Sequence, residues 1–370
     1  MKRTSGALGI AVVGLGVGQH HLDALAALAA LYEVRAVCDL DEGRLATTAR
    51  RLGTKAMALR HLDEVLADPS IDIVALCTPP HLHLAQIRQV LAAGKHVVCE
   101  KPLVGSLDEL AQLRLALAQG EAQVFPVFQS RFGEGLRQLK HLQACGFARH
   151  ALVATIETHW RRGAEYYATA WRGRWATERG GVCLTQAIHA HDMLTHVLGP
   201  VHTVSAQLAT RVNDIEVEDC LAAALRMADG SLASLSATLG ATSNRSRLRF
   251  LFADLSVESA SANPYRPAQG PWRFEAATPA IEAQLHEALA ALPPAREGFE
   301  RLFELIHASL RDGSPPPVTL DEAEAALSLV TAIYASAAAD GAPIALPLPA
   351  TDPARTDWRP AGGGFAKSLA

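Results

Sequence analysis

Apolar positions in the first hundred residues come as short runs separated by helix-patterned stretches. Leu8–Val13 is an apolar, β-branched run that predicts a strand and leads directly into Gly14-Leu15-Gly16-Val17-Gly18. A helical pattern from Gln19 to about Leu31 follows, then a strand over Glu33–Cys38 ending at Asp39, then an Arg- and Ala-rich helix over 42–52. A short helix at Asp63–Leu66 precedes Ile71–Cys77, whose continuous apolar character marks a buried strand. Leu84–Ala93 reads as a helix closed by Gly94, and His96–Cys99 as a further strand. Strands alternating with helices in this way predict βαβ units and a parallel sheet. Right-handed crossovers then bring loops 14–19, 77–83 and 100–103 to one edge of that sheet.

The pattern changes near residue 151. Strand-like runs at 151–158, 201–210, 219–227, 231–239 and 247–252, with Asp229-Gly230 between two of them, predict an antiparallel sheet built from hairpins. Leu184–Leu198 reads as one helix, 263–273 as a loop, Glu297–Leu310 and Leu320–Ala338 as amphipathic helices, and the tail from Ala350 as fraying. A chain of 370 residues exceeds one ordinary domain of roughly 100–200 residues. The division expected is 1–128 and 129–370.

Composition narrows the classes. Hydrophobic residues make up 49% and charged residues 19%, an ordinary mix for a soluble globular chain, and the formal net charge is -4. With no basic block, a nucleic-acid partner is not expected. No two of the six cysteines form a CxxC pair, so neither a metal site nor a disulfide framework is indicated, and reduced thiols in the cytoplasm are the expectation. Met1-Lys2-Arg3 before an apolar stretch imitates a secretory leader. Glycines at 9, 14, 16 and 18 and the lack of a small-x-small cleavage site argue against one. No apolar run is long enough to predict a membrane span.

The candidate chemistry starts at the glycine turn. Gly14 and Gly16 follow a strand and open a helix, the context in which a G-x-G pattern signals a dinucleotide. The first glycine makes the turn, the second admits the pyrophosphate, and the helix N-terminus supplies N–H groups. Gly14, Leu15, Gly16, Val17, Gly18 and Gln19 are the candidate cradle, although Gln19 stands where the third glycine is expected and Gly18 comes one residue early. Asp39, at the end of the second strand, suits the adenine-ribose hydroxyls and repels a 2′-phosphate, which favours NAD over NADP. Lys101, at a strand end beside that edge, could polarise a carbonyl or hold a reacting hydroxyl, or could be a surface lysine before a proline-initiated turn; the flanking Glu100-Lys101-Pro102 motif makes it the candidate donor. His189, with Asp192 at i+3, is the candidate proton carrier. Trp171 and Arg172, in a loop that also holds Tyr166 and Tyr167, could stack on a sugar and grip an anion. Arg161, Arg162 and Arg174 make that neighbourhood basic, which would suit an anionic group on a substrate.

The chain resembles the glucose–fructose oxidoreductase/inositol dehydrogenase (Gfo/Idh/MocA) family. The matching stretches are Gly14–Gln19 with Asp39; Asp72-Ile73-Val74 leading into Thr78-Pro79-Pro80 and His83; Ala93-Gly94-Lys95-His96-Val97 leading into Glu100-Lys101-Pro102; Gly180-Gly181; Gln186-Ala187-Ile188-His189 with Asp192; and the stretch from Phe299 to Ile344. The resemblance implies an α/β chain with an N-terminal Rossmann-type parallel sheet and a C-terminal α+β domain carrying a large, mostly antiparallel open sheet. It implies hydride transfer between a nicotinamide and a secondary alcohol or ketone of a sugar, cyclitol or related small molecule. Other activities within its reach are an NAD-dependent glycosidase and a non-catalytic dinucleotide-binding regulator. It implies a homodimer or homotetramer through the open sheet. Cys77, Thr78, Pro79, His83, Glu100, Lys101, Gln129, Trp171 and Arg172 would join the glycine turn and Asp39 at the cofactor. Lys101, Tyr167, Arg172, Thr185, Gln186 and His189 would face the substrate. Thr185 departs from the pattern, because many members of the family have an aspartate there, which leaves the principal proton carrier open between Lys101 and His189.

Overall fold

The structure is a computed structural model, and it describes residues 6–360 with Gly364 and Phe365. In chain order the elements begin β1 (Leu8–Val13), α1 (Gly18–Ala27), β2 (Tyr32–Cys38), α2 (Glu42–Leu52), β3 (Met57–Leu59), α3 (Leu62–Ala67), β4 (Ile73–Leu76), α4 (His83–Ala92), β5 (His96–Cys99), α5 (Leu107–Leu117) and β6 (Val124–Pro126). They continue with α6 (Glu134–Ala144), β7 (Ala151–Arg161), α7 (Ala164–Tyr167), α8 (Trp175–Glu178), α9 (Val182–Thr185), α10 (Ile188–Leu198), β8 (Val201–Ala209), β9 (Cys220–Met227), β10 (Leu232–Thr238), β11 (Gly240–Phe252), β12 (Leu255–Ser259) and β13 (Trp272–Ala276). The last are α11 (Pro279–Ala290), α12 (Gly298–Asp312), α13 (Leu320–Ala338) and β14 (Ile344–Ala345). Residues 6–129 with 298–320 form one compact unit, and 130–297 with those from 321 onward form a second.

The first unit holds a six-stranded parallel sheet in the order β3-β2-β1-β4-β5-β6. Every residue of β1 and β4 is buried, as continuous apolar strands require when helices cover both faces. Helix α1 ends at Ala27, short of the expected Leu31. The chain turns through 28–31, where the Leu31 N–H donates to Leu28 O at 2.8 Å. No glycine or proline marks that stop. Strand β3, three residues at the sheet's edge, gave no periodic signal. Helix α12 also belongs to this unit: its Leu302, Phe303 and Ile306 are buried, and the Tyr32 hydroxyl donates to Phe303 O at 2.6 Å.

The second unit holds an eight-stranded sheet in the order β13-β12-β11-β7-β10-β9-β8-β14, antiparallel except for the parallel pair β7 and β10. The Asp229-Gly230 hairpin forms as expected, with Gly230 at φ 91° and the Ser231 N–H donating to the Asp229 carboxylate. The strand expected at 247–252 runs back to Gly240 through an irregularity between Gly240 and Arg245. The loop expected over 263–273 gives way at Trp272 to β13. Helix α11 was not foreseen; Thr278 caps it and Pro279 sits in its first turn. The single helix expected over Leu184–Leu198 is two helices, α9 and α10, broken at Gln186-Ala187. The tail was expected to fray, but Trp358 is 5% exposed, donates from Nε1 to Arg179 O at 2.8 Å and stacks on Tyr334. Part of the remaining tail, 361–363 and 366–370, lies outside the described residues.

Candidate active site

The glycine turn is built by close approach of backbones. Gly14 has φ 89°, and a Cβ on it would lie 2.5 Å from Cys77 O, so only glycine fits. A Cβ on Gly18 would meet Val12 Cγ1 at 2.9 Å and Cys77 Cβ at 3.5 Å. Gly18 therefore does the close packing of helix against strand expected of a third glycine, one position earlier than the standard spacing. Gln19 is instead a brace, its amide donating to Leu15 O and to Thr48 Oγ1. Leu15 is buried and Val17 exposed. No side chain caps helix α1, and among the described residues a Cβ on Gly16 would find nothing nearer than the Arg44 guanidinium, at 4.0 Å. The N–H groups and the positive end of a ten-residue helix thus face an uncrowded cradle.

Asp39 sits at the C-terminal end of β2 beside that cradle. Its Oδ2 accepts from the Leu15 N–H at 2.7 Å, and Oδ1 accepts from the Asp41 N–H at 2.9 Å. Arg44 lies 3.3 Å from the same carboxylate. The carboxylate fixes the turn from the end of β2.

At the C-terminal end of β5, Glu100 is 4% exposed and pairs with His21 of α1 at 2.9 Å. The rings of Phe299 and Phe303 pack on His21, at 4.7 and 5.4 Å. The other Glu100 oxygen accepts from the Lys101 N–H at 3.2 Å, so a buried pair links the dinucleotide helix to the backbone of the candidate catalytic lysine, which is half-buried. Glu100 thus braces the first helix and the Lys101 backbone. Sequence reasoning missed His21; its one signal is the i+3 spacing from Gly18 on the buried face of α1. His83 is buried, with its ring nitrogens 2.8 Å from Pro102 O and Thr78 O. Burial holds its pKa below the usual value, against the two carbonyl contacts. It ties two loops together and offers no ring nitrogen to a ligand. The Thr78 hydroxyl donates to Gln86, Cys77 is buried with its thiol pushed well up by burial, and Pro79 precedes the turn that opens α4. Gln129 has a buried Oε1 that accepts no hydrogen bond among the described residues.

In the second unit, His189 stands on the first turn of α10, half-buried. It lines a cavity of about 20 Å³ together with Thr158, Trp160, Gln186, Met193, Ser246 and Tyr265. Thr185 does not face that space with a usable hydroxyl: Oγ1 lies 2.8 Å from Gly181 O and 2.5 Å from Gln186 Oε1. Gln186 donates to the Tyr166 hydroxyl at 2.8 Å, which also receives Arg172. Arg172 lies 3.9 Å above the Tyr166 ring and 4.2 Å above that of Trp171, and pairs with buried Glu178 at 3.3 Å. Tyr167 packs edge-on against Tyr166, and burial raises its hydroxyl pKa. Trp171, Arg172, Tyr166 and Gln186 are therefore one interlocked group in which Arg172 already holds a carboxylate.

Two buried carboxylates hold the histidine segment. Asp192 is clamped by Arg131, which also reaches Glu322 at 2.5 Å; burial acts to lower the Arg131 pKa, and the two carboxylates outweigh it. Glu218, fully buried, accepts from the N–H groups of Gly181 and Cys183 and from the Tyr334 hydroxyl at 2.8 Å. Burial pushes its pKa up to about 7 against those donors. A Cβ on Gly181 would lie 1.7 Å from Glu218 O, which explains the Gly180-Gly181 pair. Deeper still, His191 touches Cys183, and burial lowers its pKa to about 4, so it is neutral. Among the described residues no group of three or more His, Cys, Asp or Glu could hold a metal ion.

A parallel sheet with a glycine cradle, an acidic strand end and a Glu-Lys-Pro edge defines a dinucleotide-binding oxidoreductase fold. Residues 8–128 match the oxidoreductase family with an NAD-binding Rossmann fold, Gfo/Idh/MocA, and residues 137–258 match the Gfo/Idh/MocA C-terminal domain. The chain belongs to this family, and its first unit is the NAD-binding Rossmann domain. It is similar to the WlbA dehydrogenases of Chromobacterium violaceum and Bordetella pertussis, each solved with NADH and UDP-GlcNAcA. Both are 29% identical; the first superposes with a TM-score of 0.82 over 94% of this chain and 98% of that one, the second with 0.80 over 93% and 100%. Myo-inositol 2-dehydrogenase of Thermotoga maritima is 28% identical over 195 residues, 51% of this chain and 54% of that protein. The chain spans about half the length of the curated relatives it matches. No helix among the described residues is long and apolar enough to cross a membrane.

Proposed function

We propose that this protein is an NAD-dependent oxidoreductase that moves a hydride between nicotinamide and a secondary alcohol or ketone of a sugar, cyclitol or sugar derivative. The observation that carries the reading is the convergence of Gly14–Gly18, Asp39 and Lys101 at the C-terminal edge of the first sheet, where open α/β folds bind their ligands. The residues fit the dinucleotide: a Cβ on Gly16 would find no atom nearer than the Arg44 guanidinium at 4.0 Å, so the turn is open where a pyrophosphate would lie, and Gln129 Oε1 is a buried acceptor with no partner among the described residues. The N–H groups at the start of α1 would hold the pyrophosphate, Asp39 the ribose hydroxyls, and Gln129 an amide N–H. Bound there, the nicotinamide supplies the hydride chemistry.

The chain's own contribution is orientation and proton handling. Lys101 Nζ would donate to the reacting oxygen, with the buried His21 and Glu100 pair fixing its backbone. His189 would carry the second proton position. Both oxygens of Asp192 are held by Arg131 and Thr185 cannot form a carboxylate–imidazole pair, so the reading gives Lys101 the principal proton step. We extend the reading to self-association through the open face of the second sheet, where Ala222, Ala224, Ser234 and Leu232 are exposed, and to a cytoplasmic location, in keeping with six free cysteines. The test is to identify the nucleotide released from purified protein and then to follow NADH formation on a panel of sugars and cyclitols. NAD and turnover are expected. An apoprotein that binds neither NAD nor NADP would overturn the reading.

A further inference from the structure

Arg162 follows β7 and is half-buried, and its guanidinium is surrounded by aromatic rings. Its central carbon lies 5.1 Å from the Trp160 ring, 5.2 Å from Tyr166 and 5.5 Å from Tyr265. Its one hydrogen bond runs from NH1 to Arg161 O at 2.7 Å, and among the described residues no carboxylate pairs with it. That sets it apart from Arg172, which holds Glu178, and from Arg131, which holds Asp192 and Glu322. A cation partly removed from water and given only ring faces is held in place but not neutralised.

The rings around it are fixed. Trp160 and Tyr265 meet edge to face at 4.9 Å. Trp160 Nε1 donates to Ser246 Oγ at 3.0 Å, Ser246 Oγ donates to Pro264 O at 2.5 Å, and Asn244 donates to the Tyr265 hydroxyl at 2.6 Å. These two rings also wall the cavity that His189 and Gln186 line. That cavity has room for about one water-sized group. A larger ligand reaching it would lie against Trp160 and Tyr265, the latter 46% exposed, and so beside Arg162. Glu157 borders the same space, but strand alternation puts its side chain on the other face of β7 from Thr158 and Trp160, opposite Arg247 in the register.

We propose that Arg162 is a specificity-determining residue that selects substrates bearing an anionic group, a carboxylate or a phosphate, on the sugar or its substituent. The inference rests on the oxidoreductase reading for its kinetic test and on the cage alone for its binding test.

The experiment uses the full chain in two forms of measurement. Calorimetric titration compares D-glucuronate, UDP-glucose and D-glucose, and NAD-linked turnover compares whatever members of the same panel react. Arg162→Met keeps the aliphatic packing and removes the charge; Arg162→Lys keeps the charge; NADH affinity and thermal melting confirm folding. The anionic ligands are expected to bind more tightly than D-glucose, and Arg162→Met to weaken them by about 10- to 100-fold, the range of one charge-assisted hydrogen bond. D-Glucose should be little changed, and Arg162→Lys should recover part of the loss. Loss confined to D-glucuronate identifies a carboxylate, and loss confined to UDP-glucose a phosphate; either supports the proposal. Equal weakening of charged and neutral ligands, or no anion preference in the unsubstituted protein, overturns it. Anion-selective binding without turnover on any sugar would sink the oxidoreductase reading and leave the role of Arg162 standing.

Discussion

Arg131 forks onto Asp192, its Nε donating to one carboxylate oxygen at 3.0 Å and a terminal nitrogen to the other. Both side chains are almost wholly removed from water, 2% and 1% exposed. This pair ties Arg131, one residue after the second unit begins, to the helix that carries His189. It also explains why the aspartate three residues after the histidine is not its partner. Breaking a buried pair strands a charge, so Arg131→Met is expected to lower unfolding free energy by about 3–5 kcal/mol, and Arg131→Met with Asp192→Leu to restore much of it. Denaturant unfolding checks both; additive losses would mean the pair is not coupled.

Asp39 supports the turn through Leu15, and the proposed reading puts the ribose hydroxyls on its carboxylate. Asp39→Ser removes the charge that repels a 2′-phosphate and leaves Arg44 nearby to meet one. The ratio of kcat/KM for NAD to that for NADP should fall by about 10- to 100-fold, the scale of one charged hydrogen bond. An unchanged ratio would remove Asp39 from cofactor selection.

Glu218 couples stability to pH. Its folded pKa, about 7, lies above its ordinary value of 4.5, so the native state binds the extra proton between those limits. The associated stability is therefore present at low pH and lost as pH rises from about 4.5 to 7, by up to the order of 3 kcal/mol. Glu218→Gln should flatten that part of the profile. Thermal melts across the window test this, and parallel slopes for the two proteins would contradict it.

Gly14 is required by its neighbours. Gly14→Ala forces a methyl to 2.5 Å from Cys77 O at a φ of 89°. The first unit must distort, and NADH affinity should fall by at least about tenfold, as a strain of roughly 1–3 kcal/mol implies. Fluorescence titration with NADH measures it; unchanged affinity would mean the turn does not contact the dinucleotide.

The dinucleotide half was legible because its signals are local. A β-branched run, a glycine turn and an acidic strand end lie within 32 residues, and each acts through its own backbone. Gly18 shows the limit: spacing alone made it a misfit, whereas packing against Val12 and Cys77 gives it the third glycine's work. The braces escaped notice because their partners are distant in sequence. His21 meets Glu100, Arg131 meets Asp192 and Glu322, and Glu218 meets Gly181 and Tyr334. Nothing in the sequence around an isolated buried glutamate announces a turn it caps 35 residues earlier. His83 shows the same limit: its place in a motif suggested a ligand contact, and only the fold shows its ring between Pro102 O and Thr78 O. Helix breaks at Ala27 and at Gln186-Ala187 were invisible because no glycine or proline marks them.

The central claim is hydride transfer with Lys101 as the group at the reacting oxygen. The most direct test follows NADH absorbance with NAD and a panel of sugars, cyclitols and sugar acids, for the unsubstituted protein and Lys101→Ala, with NADH affinity measured for both. The account predicts turnover in the former, a loss of kcat of about 10²- to 10⁴-fold in the latter, and NADH affinity little changed. Equal turnover by the two proteins would contradict it.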